Sequence, residues 1–162
     1  MAVRPANNSF DAMTLGVAAR RSSPPQWRIF MEALATALSQ VAGDEQALRI
    51  LAGVGAAIAK EQSIPVANSL ADLKAAMNAG LQTLDWGQVD IYEAEKALEF
   101  VVIGYPYFGG VEAQTAFAAI LEALLEGWLM QQAARPGLSM RLVERGNGPY
   151  PPLVFRYERS GS

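Results

Sequence analysis

The stretch from Glu112 to Gln132 constrains the fold more than any other part of the chain. Its large apolar residues recur at helical spacing and form one wide face: Phe117, Ile120, Leu121, Leu124, Leu125, Trp128 and Leu129. Polar residues keep only a narrow band, chiefly Thr115, Glu122 and Glu126. A helix this apolar is not a solvated surface helix. We expect it to be the central element of the domain or to be shared with another subunit.

A second stripe of this helix carries only small residues at steps of three or four: Ala116, Ala119, Ala123 and Gly127. Small side chains let another backbone approach closely, so the helix is expected to contact two partners. We predict an oligomer interface along this stripe, with Trp128 beside it. For Trp86 and Trp128 we favour a role as anchors in the core or interface over a role as stacking surfaces for sugar rings.

Three helices are predicted before this stretch. Ser23 is suited to cap the first, with Pro24 at its first position and Gly43 at its end. The second has apolar residues at helical spacing and ends before Pro65; it also carries the small residues Gly53 and Ala57. A glycine in mid-helix often marks a close crossing. Asn68 or Ser69 caps the third helix, which ends at Trp86-Gly87.

Two β-hairpins are predicted from alternating apolar and polar residues. The first covers 87–93 and 97–104, although the helix-forming residues 94–98 offer a competing helix. The second follows Pro136-Gly137 and turns at Gly146-Asn147-Gly148. The fold class is therefore α+β: three N-terminal helices, a β-hairpin, a long apolar helix and a C-terminal β-hairpin, with one antiparallel sheet packed on helices.

The 162 residues are enough for one domain with a substantial core. We divide the chain into a flexible N-terminal extension over 1–24, a single domain over 25–158 and a frayed tail over 159–162. No apolar run reaches the roughly eighteen residues of a membrane span, and no secretory signal is recognisable. The expected compartment is the cytoplasm.

Composition excludes most enzymatic chemistry. The chain has no cysteine and no histidine, which removes thiolate and imidazole ligands, cysteine nucleophiles and Ser-His-Asp triads. We expect no catalytic residues, cofactor or metal. A net charge of −3 disfavours nucleic acid as a partner. Glu122 and Glu126 lie one helical turn apart; an acid/base pair is conceivable, but a solvated or interface edge is favoured.

A glycine-bounded loop carries three aromatic residues, Tyr105, Tyr107 and Phe108. Because binding residues concentrate on loops, these are our candidates for exposed contact with a glucan chain or a protein partner.

The order of motifs resembles the family of bacterial cellulose synthase D subunits. The matching segments span about residues 45–130: Leu48 to Leu51 with Gly53 and Gly55, Pro65, Asn78 to Leu84 running into Trp86 to Val89, Glu95, Ala97, Pro106, and Leu125 to Leu129. The segment 1–24 does not match, and the C-terminal hairpin agrees in kind rather than in residues.

The resemblance implies a non-enzymatic protein that assembles from dimers into an octameric ring and accepts nascent β-1,4-glucan chains in its passages. It further implies a role in aligning export complexes so that the chains form crystalline fibrils. The implied partners are other cellulose synthase subunits and a proline-rich protein. The family has been placed in the periplasm or in a cytoplasmic scaffold; the second agrees with our expectation.

A more distant likeness is to the ligand-binding domains of vesicle-tethering subunits, haem-based gas sensors and small hydrocarbon sensors. Without histidine no haem iron is held in the gas-sensor manner. A sensor or adaptor with an apolar pocket under the sheet remains the alternative.

Overall fold

Proline and glycine set the bounds of the first two helices. The structure is a computed structural model that describes residues 23–132, 136–144 and 151–160. Helix α1 (Pro25–Ala42) and helix α2 (Asp44–Glu61) are joined by Gly43 alone, whose φ of 79° lies in the region that favours glycine. This one-residue connection folds α2 back so that it packs against α1.

The predicted cap of α1 is wrong by one residue. The helix begins at Pro25, and Pro24 takes the capping position with extended ψ of 144°. The cause is steric, because the ring of Pro25 disfavours a helical conformation in the residue before it. Ser23 is buried, and its hydroxyl bonds to no group in the described part of the chain.

Helix α3 (Leu70–Leu84) begins as one of the two predicted caps requires. The Ser69 hydroxyl accepts a hydrogen bond of 3.1 Å from the backbone N–H of Asp72. Its buried face consists of Leu73, Met77 and Leu81, which lie one turn apart. This face and the adjoining side chains pack α3 against the first strand.

Both predicted hairpins are present and join into one antiparallel sheet. The strands are β1 (Gln88–Ala94), β2 (Ala97–Ile103), β3 (Leu138–Glu144) and β4 (Leu153–Arg159), in the order β1-β2-β4-β3. The competing helix over 94–98 is wrong, because Ala97 and Leu98 pair with Ala94 and Glu93 across a tight turn. The predicted turn at Gly146-Asn147-Gly148 lies outside the described residues.

Helix α4 (Val111–Met130) is the central element, as predicted for the stretch Glu112 to Gln132. All seven members of the predicted apolar face are buried. Helix α4 packs most extensively against α2, and it also contacts α1, β3 and β4. The predicted α+β class and the packing of one antiparallel sheet on helices are confirmed.

The strand bounds bear on the predicted division of the chain. Strand β4 continues to Arg159, and the Ser160 backbone N–H donates a hydrogen bond of 3.0 Å to the carbonyl of Gly137. The hairpin thus extends beyond residue 158. Residues 1–22, which hold most of the predicted extension, and residues 161–162 lie outside the described residues.

Candidate functional site

Two members of the small-residue stripe of α4, Ala123 and Gly127, face α2 of the same chain. A Cβ atom built on Gly127 would lie 2.6 Å from the Ala59 Cβ, and one built on Gly55 would lie 2.9 Å from the Ala123 Cβ. The Gly55 position is closer still to the α4 backbone, with 2.1 Å to the carbonyl oxygen of Ile120. These contacts are too short for any residue but glycine, so α2 and α4 cross with their backbones almost touching.

This placement bears on the oligomer interface predicted for Ala116, Ala119, Ala123, Gly127 and Trp128. Ala116 and Trp128 are buried, and the other three are partly buried. A contact between subunits is not tested by one chain, so the interface on α4 stays a prediction. At Ala123 and Gly127, α2 of the same chain already packs against the stripe.

Trp128 is an anchor within the protomer. Its side chain is fully buried, and its Nε1 donates a hydrogen bond of 2.7 Å to the carbonyl of Gln62. A Cβ atom on Gly80 would lie 2.7 Å from the indole ring, so α3 approaches the ring closely. Trp128 therefore ties the end of α2 and the middle of α3 to α4. The preference for a core role at Trp86 is likewise confirmed by its burial.

The aromatic loop between β2 and α4 is packed inward. Tyr105 and Phe108 are 4% and 1% exposed. Their rings surround Phe117 of α4, with centroid distances of 6.2 and 5.3 Å. The Tyr105 hydroxyl donates a hydrogen bond of 2.5 Å to the carbonyl of Pro151. The expectation that these two rings are exposed is wrong, because α4 supplies a large aromatic partner. Tyr107 is partly buried.

Glu122 and Glu126 of α4 accept hydrogen bonds from the backbone of an edge strand. Strand β3 is an outer strand, and its outward N–H groups need partners. Glu126 Oε2 accepts a hydrogen bond of 2.7 Å from the Met140 N–H, and Glu122 Oε2 accepts one of 2.6 Å from the Leu142 N–H. The two carboxylates are thus partly buried and bonded to the backbone of the same chain. This differs from the favoured interpretation of a solvated or interface edge, because the edge strand β3 supplies their partners.

The surroundings of Glu122 raise the pKa of its carboxyl group. Burial raises the pKa of Glu122, the hydrogen bond from Leu142 acts in the opposite direction, and the charge of Glu126 adds to the rise. Burial also raises the pKa of Tyr157 on β4, with a further contribution from Glu126. The pair therefore forms a half-buried acidic site between α4 and the sheet.

Asn78 satisfies backbone groups at the opposite edge, and sequence reasoning missed its role. Its Nδ2 donates a hydrogen bond of 2.9 Å to the Val89 carbonyl, and its Oδ1 accepts one of 2.9 Å from the Val89 N–H. A side-chain amide can both donate and accept in this way. The available signal was an amide directly after the buried Met77 in the helical pattern, eleven residues before Val89 of the edge strand.

Apolar side chains remain uncovered on the outer helices. On α1, Ile29, Phe30 and Val41 are 67%, 53% and 89% exposed. On α2, Ile50 and Val54 are exposed by about two fifths. Single apolar side chains at a protein surface are ordinary. Groups of exposed apolar side chains are typical of surfaces that contact another protein.

The described residues hold little that supports chemistry. They contain no group of three or more carboxylate side chains placed to bind a metal ion. The carboxylate pair that α4 directs toward the sheet, Glu122 and Glu126, is taken up by backbone N–H groups. In the same ranges, no helix combines the length and apolar character needed to cross a membrane.

Comparison with known proteins gives one consistent answer. The family model for the D subunit of cellulose synthase matches residues 13–156. The match therefore extends well beyond the 45–130 on which the resemblance was based. It also includes residues 13–24, so the expectation that the N-terminal segment falls outside the family is wrong for that part.

Individual relatives agree with the family match. The chain is 30% identical over 115 residues to proteins named cellulose synthase operon protein D from Komagataeibacter xylinus and Komagataeibacter sucrofermentans. Each alignment covers 68% of this chain and 74% of the relative. A further protein of that name from Komagataeibacter xylinus is 29% identical over the same length. The chain belongs to the family of cellulose synthase D subunits.

Proposed function

We propose that this protein is a non-catalytic accessory subunit of a bacterial cellulose synthesis and secretion system. In this role it is a homo-oligomeric scaffold that organises export complexes and guides β-1,4-glucan chains into crystalline fibrils. The observation that carries the proposal is the family match over residues 13–156, which supports a role in cellulose synthesis. The relatives are named for the cellulose synthase operon.

The chemistry of the chain supports a role without catalysis. The sequence lacks histidine and cysteine, and the Glu122 and Glu126 carboxylates already accept backbone hydrogen bonds. An acid/base pair needs carboxylates that are free to exchange protons with a substrate. Both side chains are instead hydrogen-bonded to the backbone of the edge strand β3, which supports a structural role for them.

The uncovered apolar residues of α1 and α2 support assembly. A protomer with exposed Phe30, Ile50 and Val54 gains stability when another surface removes them from water. We propose that copies of this chain supply that surface and form dimers that close into an octameric ring. Other cellulose synthase subunits and a proline-rich protein are the further partners we propose.

The proposed contact with glucan lies in the aromatic loop between β2 and α4. Of the three loop aromatics, only Tyr107 keeps part of its side chain at the surface. We therefore place the proposed glucan or partner contact at Tyr107 rather than at Tyr105 or Phe108. The fully buried Phe100, Phe117 and Phe155 fill the core, so no observation favours the sensor alternative with its open apolar pocket.

Complementation tests the proposed function. A cellulose-producing bacterium that lacks its own D subunit is supplied with this chain or with an empty vector, and cellulose yield and crystallinity are measured by weight and X-ray diffraction. We expect the chain to raise both. A stably produced chain that leaves yield and crystallinity at the empty-vector level contradicts the proposal. Purified protein incubated with glucan is expected to release no reducing sugar.

Cell fractionation addresses the compartment. We propose a cytoplasmic scaffold, with the periplasm as the alternative. In the same complemented strain, the chain is expected in the fraction that holds a cytoplasmic marker enzyme. Recovery with a periplasmic marker after osmotic shock favours the alternative.

A further inference from the structure

The side of α2 that points away from α4 is apolar and uncovered. Gly55 and Ala59 face α4. At about 100° per residue, Ile50, Gly53 and Ala57 lie on the opposite side of the helix, with Val54 at its border. Ile50 and Val54 are 41% and 42% exposed, and Gly53 and Ala57 are exposed as well. We call these four residues the outer face of α2.

Gly53 is not explained by contacts within the protomer. A Cβ atom built there would meet no atom of the described chain within 4 Å, whereas at Gly55 it would meet the Ile120 carbonyl oxygen at 2.1 Å. Glycine in a helix interior lowers helix stability relative to alanine. At Gly55, the close contact with α4 explains why glycine is present despite the loss of helix stability. At Gly53, no contact with the described residues gives such an explanation. A missing side chain on an apolar face admits the close approach of another backbone.

The charge distribution along α2 indicates the character and the direction of the element that packs on its outer face. No charged residue lies between Arg49 and Lys60, so the occupant of the outer face is itself apolar. Glu45, an exposed residue that also pairs with Arg49 of its own helix, lies eight residues before Gly53. Lys60 lies seven residues after Gly53, on the same flank of the helix. A second α2 helix that crosses at Gly53 in the opposite direction sets Glu45 beside Lys60 of the partner subunit. A parallel crossing instead leaves Glu45 and Lys60 of the partner subunit at opposite ends of the contact, so this pair does not form.

We propose that the outer faces of α2 from two copies of this chain pack against each other in antiparallel fashion and cross at Gly53. The inference rests on the proposed homo-oligomeric function and assigns it a specific contact between subunits. Ile50 and Val54 of each copy flank the Gly53 notch, and the two helix dipoles oppose one another. The contact is isologous, with the same residues used by both copies.

Substitution of Gly53 tests the crossing on the full-length chain. Sedimentation over a dilution series gives the dissociation constant of the assembly, and thermal unfolding of dilute protein gives protomer stability. Gly53→Ala is expected to raise protomer stability and to weaken assembly, while Gly53→Leu raises the dissociation constant by about tenfold or more. Ala75→Leu, which adds bulk at an exposed position of α3, is the control and is expected to change neither quantity.

The opposite signs make this test decisive. A Gly53→Ala chain that is more stable and assembles with unchanged affinity overturns the proposal, because the notch is then merely open to solvent. An equal weakening by Ala75→Leu also overturns it, since the effect then belongs to bulk anywhere on the surface.

Charge reversal tests the antiparallel direction. Lys60→Glu sets two acidic side chains together and is expected to weaken assembly, and adding Glu45→Lys is expected to restore it. A double variant that stays as weak as Lys60→Glu alone overturns the antiparallel arrangement.

Failure of the contact is distinguishable from failure of the proposed function. Assemblies that persist unchanged in every α2 variant overturn the contact and leave the scaffold intact. An unaltered chain that sediments as a single protomer at all concentrations overturns the homo-oligomer and the contact together.

Discussion

The amide of Asn78 replaces a neighbouring strand at one edge of the sheet. It both donates to and accepts from the backbone of Val89, and its Nδ2 also donates a hydrogen bond of 3.0 Å to the Lys74 carbonyl. A buried backbone group that loses its partner costs free energy comparable to the lost bond. Asn78 thereby links α3 to β1 by polar contacts in addition to packing.

Replacing Asn78 is expected to loosen that link. Asn78→Ala leaves the Val89 N–H and carbonyl without this partner and is expected to lower the free energy of unfolding by about 1–3 kcal/mol. Chemical denaturation followed by circular dichroism measures the change. Asn68→Ala, at an exposed position just before α3, is the matched control. Equal denaturation midpoints for the two variants would contradict the role of the Asn78 amide.

Glu122 gives stability a distinctive dependence on pH. Because its pKa is raised above the ordinary 4.5 by burial and by Glu126, the folded protein binds this proton more tightly than the unfolded chain does. The stabilisation is full below the unfolded pKa and is lost as pH rises through the folded pKa. Relative to Glu122→Gln, the unaltered protein is therefore expected to lose stability as pH rises above the ordinary 4.5 and through the raised pKa of the folded state.

Asp90 provides a control of opposite sign for the same pH series. Burial acts to raise its pKa, but the hydrogen bonds from Lys74, Tyr92 and Ile91 outweigh it, so the pKa is lowered below 3.8. Its contribution is present above the unfolded pKa and disappears as pH falls through the folded pKa. Asp90→Asn is thus expected to diminish acid sensitivity. For each variant, the stability difference from the unaltered protein is measured as a function of pH. If this difference changes with pH in the same direction for Glu122→Gln and Asp90→Asn, the two assignments are contradicted.

Among the elements, α2 is used on two sides in different ways. One side carries Gly55, which touches the α4 backbone. The other carries Gly53, where an added Cβ atom would meet no atom of the described residues within 4 Å. Two glycines two residues apart thus serve different surfaces. The sequence pattern alone marks both simply as small residues in a helix.

The two glycines are expected to respond oppositely to the same substitution in dilute protein. Gly55→Ala forces α2 and α4 apart and is expected to lower the free energy of unfolding by about 1–3 kcal/mol, as overpacked cores do. Gly53→Ala is expected to raise it by about 0.5–1 kcal/mol through helix propensity. Denaturant titration of both variants measures the pair. If Gly53→Ala lowers the free energy of unfolding of dilute protein, residue 53 packs against another part of its own protomer and the expectation is contradicted.

The elements were largely predictable, whereas their partners were not. Helical spacing over Glu112 to Gln132 predicted α4 because burial of one face imposes a period near 3.6 residues. The same spacing predicts that the stripe containing Ala123 and Gly127 packs against another backbone. It does not indicate whether that backbone belongs to the same chain or to a second subunit. Tyr105 and Phe108 were misplaced for a similar reason: their burial depends on Phe117, which lies near in space but on another element.

At the scale of the whole molecule, assembly and folding are expected to be linked. Contact between copies of the folded chain stabilises the folded state by mass action. The midpoint of thermal unfolding is therefore expected to rise with protein concentration. For Gly53→Leu, which weakens the proposed α2 contact, the dependence is expected to be smaller. Scanning calorimetry over a range of protein concentrations measures this, and a midpoint independent of concentration for the unaltered chain would contradict it.

The two edges of the sheet have a consequence for the proposed assembly of many copies of this chain. Carboxylates of α4 occupy outward N–H groups of β3, and the amide of Asn78 occupies Val89 of β1. A strand of another protein that approaches these positions meets backbone groups that are already hydrogen-bonded to side chains. This hinders the edge-to-edge pairing of strands from which amyloid grows. In the proposed role, copies can crowd around a growing polysaccharide fibre without becoming a fibre themselves.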